Sequence, residues 1–202
     1  EDVEVGGHIF ASVLQWTEAD LAAAEKEIKR WIDKRLPFLL EEEGALLLQP
    51  GRAAEKEAFE EIARQALVTL VSRLKAAKVN DIAVETYQST PFLSGTLNGY
   101  IDMLLTCADG SEKVLDMKWS NAKYRIEELK HNRQLQLATY AYLRKKTAGT
   151  VGWPPQAYFI IEGAQLLTQD EKSFPGSLAC VPEAGETTAD LWRRFEATWR
   201  WR

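Results

Sequence analysis

The chain has 202 residues, 46% hydrophobic and 27% charged. This is ordinary globular usage, which excludes wholesale disorder and suits one well-filled domain better than two. No apolar run approaches the ~18 residues of a membrane-spanning helix. Two cysteines, Cys107 and Cys180, are too few for a disulfide framework or a four-cysteine metal site and fit a reducing compartment, so a cytoplasmic location is expected. The net charge of −5 is unevenly spread: residues 1–61 carry 7 basic and 15 acidic side chains, residues 117–146 carry 8 and 2. That basic block is either a place to steer a phosphate backbone or a solvated helix face. No signal-peptide pattern precedes the first element, and the abrupt Trp199–Arg202 end suggests a domain excised from a longer chain.

Thr17, with Asp20 three places on, is the expected start of a helix through Leu21, Ile28, Trp31 and Ile32. It should stop before Pro37, because the residue before proline avoids α. The acidic run Glu41–Glu43 leads to a short apolar piece and to the punctuation Pro50-Gly51. From about Ala53 to Lys78 the residues Phe59, Ile62, Ala63, Ala66, Leu67, Leu70, Val71 and Leu74 recur at steps of three and four. A long helix with one core-facing stripe follows. After Asn80-Asp81 the period changes to two. Ile82–Tyr87, Gly99–Thr106 and Lys113–Trp119 are predicted strands, the first two separated by Pro91 and Gly95 and the last two joined by a hairpin at Ala108-Asp109-Gly110. A second helix is expected over about Tyr124–Lys146, then a buried strand at Ala157–Ile161, a Gly/Pro/Ser-rich loop, and an aromatic helix over about Ala189–Trp201. Helix, three strands, helix, strand implies an α/β sandwich with a mixed sheet.

A D/E-x-K triplet occurs four times, so alone it decides nothing. Asp116/Lys118 differs in lying within a strand, where period two puts both on one face. On the preceding strand Asp102 is the only charge among apolar neighbours. A symmetric register about the hairpin sets it across from about Trp119, and a bulge or small shift brings it beside Lys118 and Asp116. Glu85, one strand earlier, can share that face. Carboxylates this close raise each other's pKa, and burial adds to the penalty. A divalent cation removes the conflict, and hard oxygen ligands with open water positions suit Mg²⁺ or Mn²⁺. Such a metal would acidify a water and polarise a phosphoryl oxygen, with Lys118 positioning that water or offsetting charge. The plain alternative is a structural ion pair. On the next helix Gln136 and Tyr140 share a face while Gln134 points elsewhere. The pair could hold a strand backbone or orient the lysine, or belong to an ordinary amphipathic helix.

Together Gly99-Tyr100-Ile101-Asp102, Asp116-Met117-Lys118 and Gln136-Leu137-Ala138-Thr139-Tyr140 resemble the PD-(D/E)XK nuclease superfamily, and specifically its RecB-like branch. The resemblance implies an α/β fold with a restriction-endonuclease-like αβββαβ core, a mixed central sheet flanked by helices, and extra N- and C-terminal helices. Residues 51–165 would form the core, 1–50 a helical extension packed on it, and 166–202 a loop and closing helix. It implies Asp102 and Asp116 as metal ligands, the Met117 carbonyl as a third, Lys118 as the catalytic lysine and Glu85 as an upstream acid. Ile101 replaces the proline of the family name. Four residues after Gly51, where RecB-like members often place a metal-binding histidine, stands Glu55, either a substitute oxygen ligand or the mark of a weaker site. The iron–sulfur cysteines of some members are absent from this chain, and His8 and His131 match no motif.

The expected function is a Mg²⁺- or Mn²⁺-dependent deoxyribonuclease, an exonuclease on single-stranded DNA in repair or recombination, working with a helicase domain or subunit. Lys123, Arg125, Lys130 and Arg133 would contact phosphates, Gln136 and Tyr140 would face DNA, and Trp119 and Tyr124 could stack on bases. The second reading is a degenerate nuclease fold that binds DNA or scaffolds a helicase–nuclease complex. The acidic first 61 residues and the exchanged histidine favour it, and the intact Asp102, Asp116 and Lys118 oppose it. No Gly-x-Ser-x-Gly elbow, phosphate-binding Gly-Lys-Ser/Thr loop or Gly-x-Gly-x-x-Gly points to another class.

Overall fold

A computed structural model describes residues 21–201. Thr17, the expected helix cap, and His8 lie outside them. Helix α1 (Leu21–Glu43) runs straight through Pro37 rather than stopping before it. Ile28, Ile32, Leu36 and Leu40 step by four along one face on both sides of the proline. The first three of these pack with Val71, Leu67 and Val68 of helix α2 (Ala53–Ala76). Burial of that stripe outweighs the lost hydrogen bond and ring clash, about 3 kcal/mol. The acidic run therefore ends the helix, and a 3₁₀ turn (Ala45–Leu48) leads into α2.

Six strands form one sheet in sequence order: β1 (Val79–Phe92), β2 (Gly95–Cys107), β3 (Glu112–Lys118), β4 (Gln156–Ile160), β5 (Gln165–Thr168) and β6 (Leu178–Ala179). The β3–β4 and β5–β6 pairs are parallel, the others antiparallel. The architecture is a mixed α/β sheet flanked by helices, as the order of elements predicted. Four details differ. Pro91 sits within β1, which is tolerated because β1 is an edge strand. β3 ends at Lys118, one residue before Trp119. The Gly/Pro/Ser-rich loop holds two short strands that widen the sheet. The single helix expected over Tyr124–Lys146 is two, α3 (Ala122–Lys130) and α4 (Leu135–Thr147), broken where Asn132 adopts φ +49°. There the buried amides of Asn132 and Gln134 and the half-buried amide of Gln169 bond one another, and Asn132 Nδ2 donates to the Thr187 carbonyl at 2.9 Å, which fastens the break to helix α5 (Thr188–Trp201).

Two cores sandwich the sheet. On one face Ala66, Leu70 and Leu74 of α2 cover Met103, Leu105, Leu115 and Phe159; on the other Leu129 and Leu137 of α3 and α4 cover Val114, Tyr158 and Ile160. The β1–β2 hairpin changes sides between them. Ile82, Met103 and Leu105 belong to the α2 face, whereas Ile101 joins the second core and a Cβ at Gly99 would lie 3.6 Å from Leu143 of α4. The switch falls at Glu85, whose φ of +47° is costly for a residue with a Cβ, and at Asp102, both lying between the Val84–Met103 and Thr86–Ile101 pairs of the ladder. Among the described residues no helix is long and apolar enough to cross a membrane.

Pro37→Ala gives α1 back a backbone donor while leaving its packed stripe intact. The substitution is expected to raise unfolding free energy by about 1–3 kcal/mol, read as a higher urea midpoint with unchanged slope. An unchanged or lower midpoint would mean that the fixed backbone angle of Pro37 is what fits α1 to α2.

Candidate active site

The hairpin between β2 and β3 sets the site's register. Gly110, in the left-handed region at φ +79°, closes a short loop in which the Cys107 N–H donates to the Ser111 carbonyl at 2.8 Å. The ladder then pairs Thr106 with Glu112, and Met103 with Leu115. Continued by one residue, that register brings Asp102 level with Asp116, not with Trp119. Symmetry about Asp109-Gly110 puts Asp102 across from Met117 rather than Trp119, and the loop, centred on Asp109, moves the register one residue further, to Asp116. The ladder stops there. Its next hydrogen-bonded rung would join Ile101 to Met117, but the Met117 N–H donates instead to Asp102 Oδ2 at 3.0 Å. The strands part, and the acid fills the gap. The Met117 carbonyl projects on the same edge as its N–H, because Val114 and Lys118 direct their backbone groups to the β4 side.

Asp116 is fully buried, and neither of its oxygens has an aligned hydrogen-bond donor. Lys118 Nζ lies 2.5 Å from Asp116 Oδ2, an ion pair by distance whose angles fall outside hydrogen-bond geometry. Burial pushes the Asp116 carboxyl up to about 6. The Asp102 charge adds to the rise; Lys118 and, less strongly, Arg125 oppose it. A desolvated carboxylate with free lone pairs is unfavourable unless something completes it.

Tyr140 reaches this site from α4. Gln136 Nε2 donates to the Tyr140 hydroxyl at 2.9 Å, and that hydroxyl donates to Asp102 Oδ1 at 3.4 Å. The amide–phenol pair thus orients the aspartate rather than the lysine or a strand backbone. Burial and the Asp102 and Asp116 charges push the Tyr140 phenol up, against the Gln136 donor, so it stays a proton donor. Asp102 is held by Met117 on one oxygen and by Tyr140 on the other.

Of the remaining expected residues, Glu85 lies between the same two ladder pairs as Asp102 but is exposed, on backbone turned by its positive φ. Glu55 sits in the first turn of α2, paired with Arg52 at 2.6 Å. One turn further along α2, Phe59 stacks on Trp119 at 5.2 Å, so this end of the helix borders the Lys118 end of β3. Among the described residues no three or more His, Cys, Asp or Glu side chains converge. Asp102 and Asp116 come together; Glu85 and Glu55 do not join them. Lys123 and Arg133 are exposed, and Lys130 lies 3.8 Å from Glu127. Arg125 points inward instead. It bonds Glu128 at 2.7 Å and lies over the Tyr158 ring, beside Asp116 in the β3–β4 register. His131 bonds the Glu127 carbonyl as a helix end does.

Sequence reasoning missed the Arg125–Tyr158–Glu128 group behind Asp116. Its only signal was a tyrosine in an otherwise apolar buried strand. The donor set fits a hard divalent cation: two carboxylates, one with an unpartnered oxygen, beside a carbonyl freed by the ladder's end. It is not a closed all-protein cage. A cation held there would keep positions for water and for substrate oxygens.

The whole arrangement agrees with a comparison of the chain against known families. The family model of the PD-(D/E)XK nuclease superfamily matches residues 5–198. No curated protein matches the chain. The match spans nearly its full length and covers the strands that hold Asp102, Asp116 and Lys118, and the chain belongs to the PD-(D/E)XK nuclease superfamily.

Proposed function

We propose that this nuclease-family chain hydrolyses DNA phosphodiesters with Mg²⁺ or Mn²⁺, acting as an exonuclease on single strands, in a cytoplasmic helicase-linked repair or recombination setting. The observation that carries the hydrolytic reading is Asp116, buried with Oδ1 unpartnered and Oδ2 met only by the Lys118 ammonium, and level with Asp102. The RecB-like motifs at Gly99–Asp102, Asp116–Lys118 and Gln136–Tyr140 support the finer assignment to single strands and a helicase partner. The two free, buried cysteines suit a reducing compartment.

Asp102, Asp116 and the Met117 carbonyl would hold the cation. When bound, it supplies Lewis acidity and lowers the pKa of a coordinated water. Lys118 lies where its ammonium can hold the attacking water or offset charge on the phosphoryl oxygens. The Met117 N–H and the Tyr140 hydroxyl fix Asp102 in one orientation, and Gln136 fixes the direction of the Tyr140 proton. Such outer partners typically change metal affinity or activity by 10–100-fold when lost.

End-labelled single-stranded DNA with Mg²⁺ or Mn²⁺ tests the reading. Wild type should degrade it, and Lys118→Ala should lose about 10²–10⁴-fold in rate while still binding the strand. Binding without cleavage by wild type would instead establish a degenerate, DNA-holding fold. Tyr140→Phe keeps the ring and removes the bond to Asp102, and should raise the metal concentration for half-maximal rate by about tenfold.

The Asp116 carboxyl, at about 6 against an ordinary 3.8, binds its proton more tightly folded than unfolded. Its contribution to stability is therefore largest below about pH 4 and is lost as pH rises through 6. Asp116→Asn should stabilise the metal-free protein at pH 7 by about 1–3 kcal/mol, with the advantage vanishing near pH 4. Calorimetry across that range would refute the buried-charge account if the two proteins track each other.

A further inference from the structure

Tyr87 and Tyr100 face each other across the β1–β2 ladder, 54% and 57% exposed, with ring centroids 5.2 Å apart and planes tilted by 55°. Gly99 and Ile101 turn toward α4 and the second core. Tyr100, between them, therefore points to the opposite face, and Tyr87 with it. Beyond the side switch at Glu85 and Asp102, residues 86–101 contain no charged side chain. This half of the hairpin is a neutral arm that displays an aromatic pair. Tyr100 is two residues before Asp102, about 7 Å along the strand.

The charges beside it are divided. Asp102 and Glu85 stand at the arm's base, while Lys118 and the exposed Lys123 lie on the β3–α3 side of the acid pair. A phosphate backbone is favoured on that side and finds no cation on the hairpin. What the hairpin offers is ring faces, and every nucleobase has one to match. In a duplex those faces are already stacked, so only unpaired bases can use the pair.

Resting on the proposed nuclease reading, we propose that Tyr87 and Tyr100 form a nucleobase-stacking platform. It holds bases of a strand whose scissile phosphate reaches the acid pair around the end of β3, from the opposite face of the sheet, and so makes a single strand the substrate. The backbone of that strand runs along the lysine side and its bases turn onto the hairpin.

The test is fluorescence anisotropy in metal-free buffer, where no strand is cut. A labelled oligothymidylate is compared with an abasic oligomer of the same length. Wild type should bind the thymidylate at least tenfold more tightly. The double variant Y87A/Y100A should lose that advantage, and Y87F/Y100F, which keeps the rings, should retain it. Equal binding of the two oligomers by wild type overturns the platform, as does an undiminished preference in Y87A/Y100A. A wild type that cleaves DNA yet binds both oligomers alike overturns the platform and leaves the nuclease reading standing. One that prefers thymidylate but never cleaves supports the platform and removes the hydrolysis.

Discussion

The hydrogen bond from the Met117 N–H to Asp102 replaces a rung of the sheet, and the site follows from that substitution. A strand pair that kept its ladder would bury Met117's backbone groups against Ile101 and leave no space between β2 and β3. By accepting the donor itself, the Asp102 side chain ends the ladder without leaving an unsatisfied N–H, which would cost about 1–3 kcal/mol. The same bond fixes the carboxylate level with Asp116. One interaction thus ends the sheet, orients a carboxylate and frees a carbonyl edge.

Placing a second carboxylate there is destabilising, and the surrounding fold compels it. Asp116 lies between Leu115 and Met117, both turned into the α2 core, so period two drives its own side chain toward the opposite core. It cannot swing out to water without unpairing β3 from β4. Lys118 approaches it closely but out of alignment, and Arg125 lies behind Tyr158 rather than against it. Four buried polar atoms without an aligned hydrogen bond collect on these neighbours: both Asp116 oxygens, Arg125 Nε and the Tyr158 hydroxyl. A fold selected only for stability would fill this region with apolar side chains. Open valences grouped on one side of a carboxylate pair are what a site for a cation requires.

The residues of the candidate site were legible where residue type alone singles them out. A lone Asp102 in an apolar strand, an acid and a lysine two apart on the next strand, and an amide and phenol four apart on a helix have few other uses in combination. The αβββαβ order was legible because the hydrophobic period changes from helical to alternating at Asn80-Asp81. What escaped were effects of tertiary packing. α1 crosses Pro37 because its stripe is buried on both sides, which overrides a local preference. The break at Asn132 had a signal, an asparagine able to take positive φ, but periodicity on either side masked it. The side switch at Glu85 had none, since glutamate is a poor choice for a left-handed backbone and nothing nearby announces the turn.

That switch gives the hairpin its second use. Had β1 and β2 kept one face to α2 along their length, Tyr87 and Tyr100 would have pointed toward α4, where Leu143 and Tyr140 now meet Gly99. Gly99 admits α4 to the strand because it has no side chain. With the faces exchanged at Asp102, the glycine turns inward and the tyrosine after it turns outward. The strained φ at Glu85 therefore accomplishes two things at one point in the ladder: it lets the outer hairpin pack on the helix that carries Tyr140, and it exposes an aromatic pair next to the residue that Tyr140 holds. Backbone strain of this kind persists only where the surrounding packing over-determines it. Here the two cores do so, one pulling Met103 down and the other pulling Ile101 up, with the carboxylate left at the fulcrum.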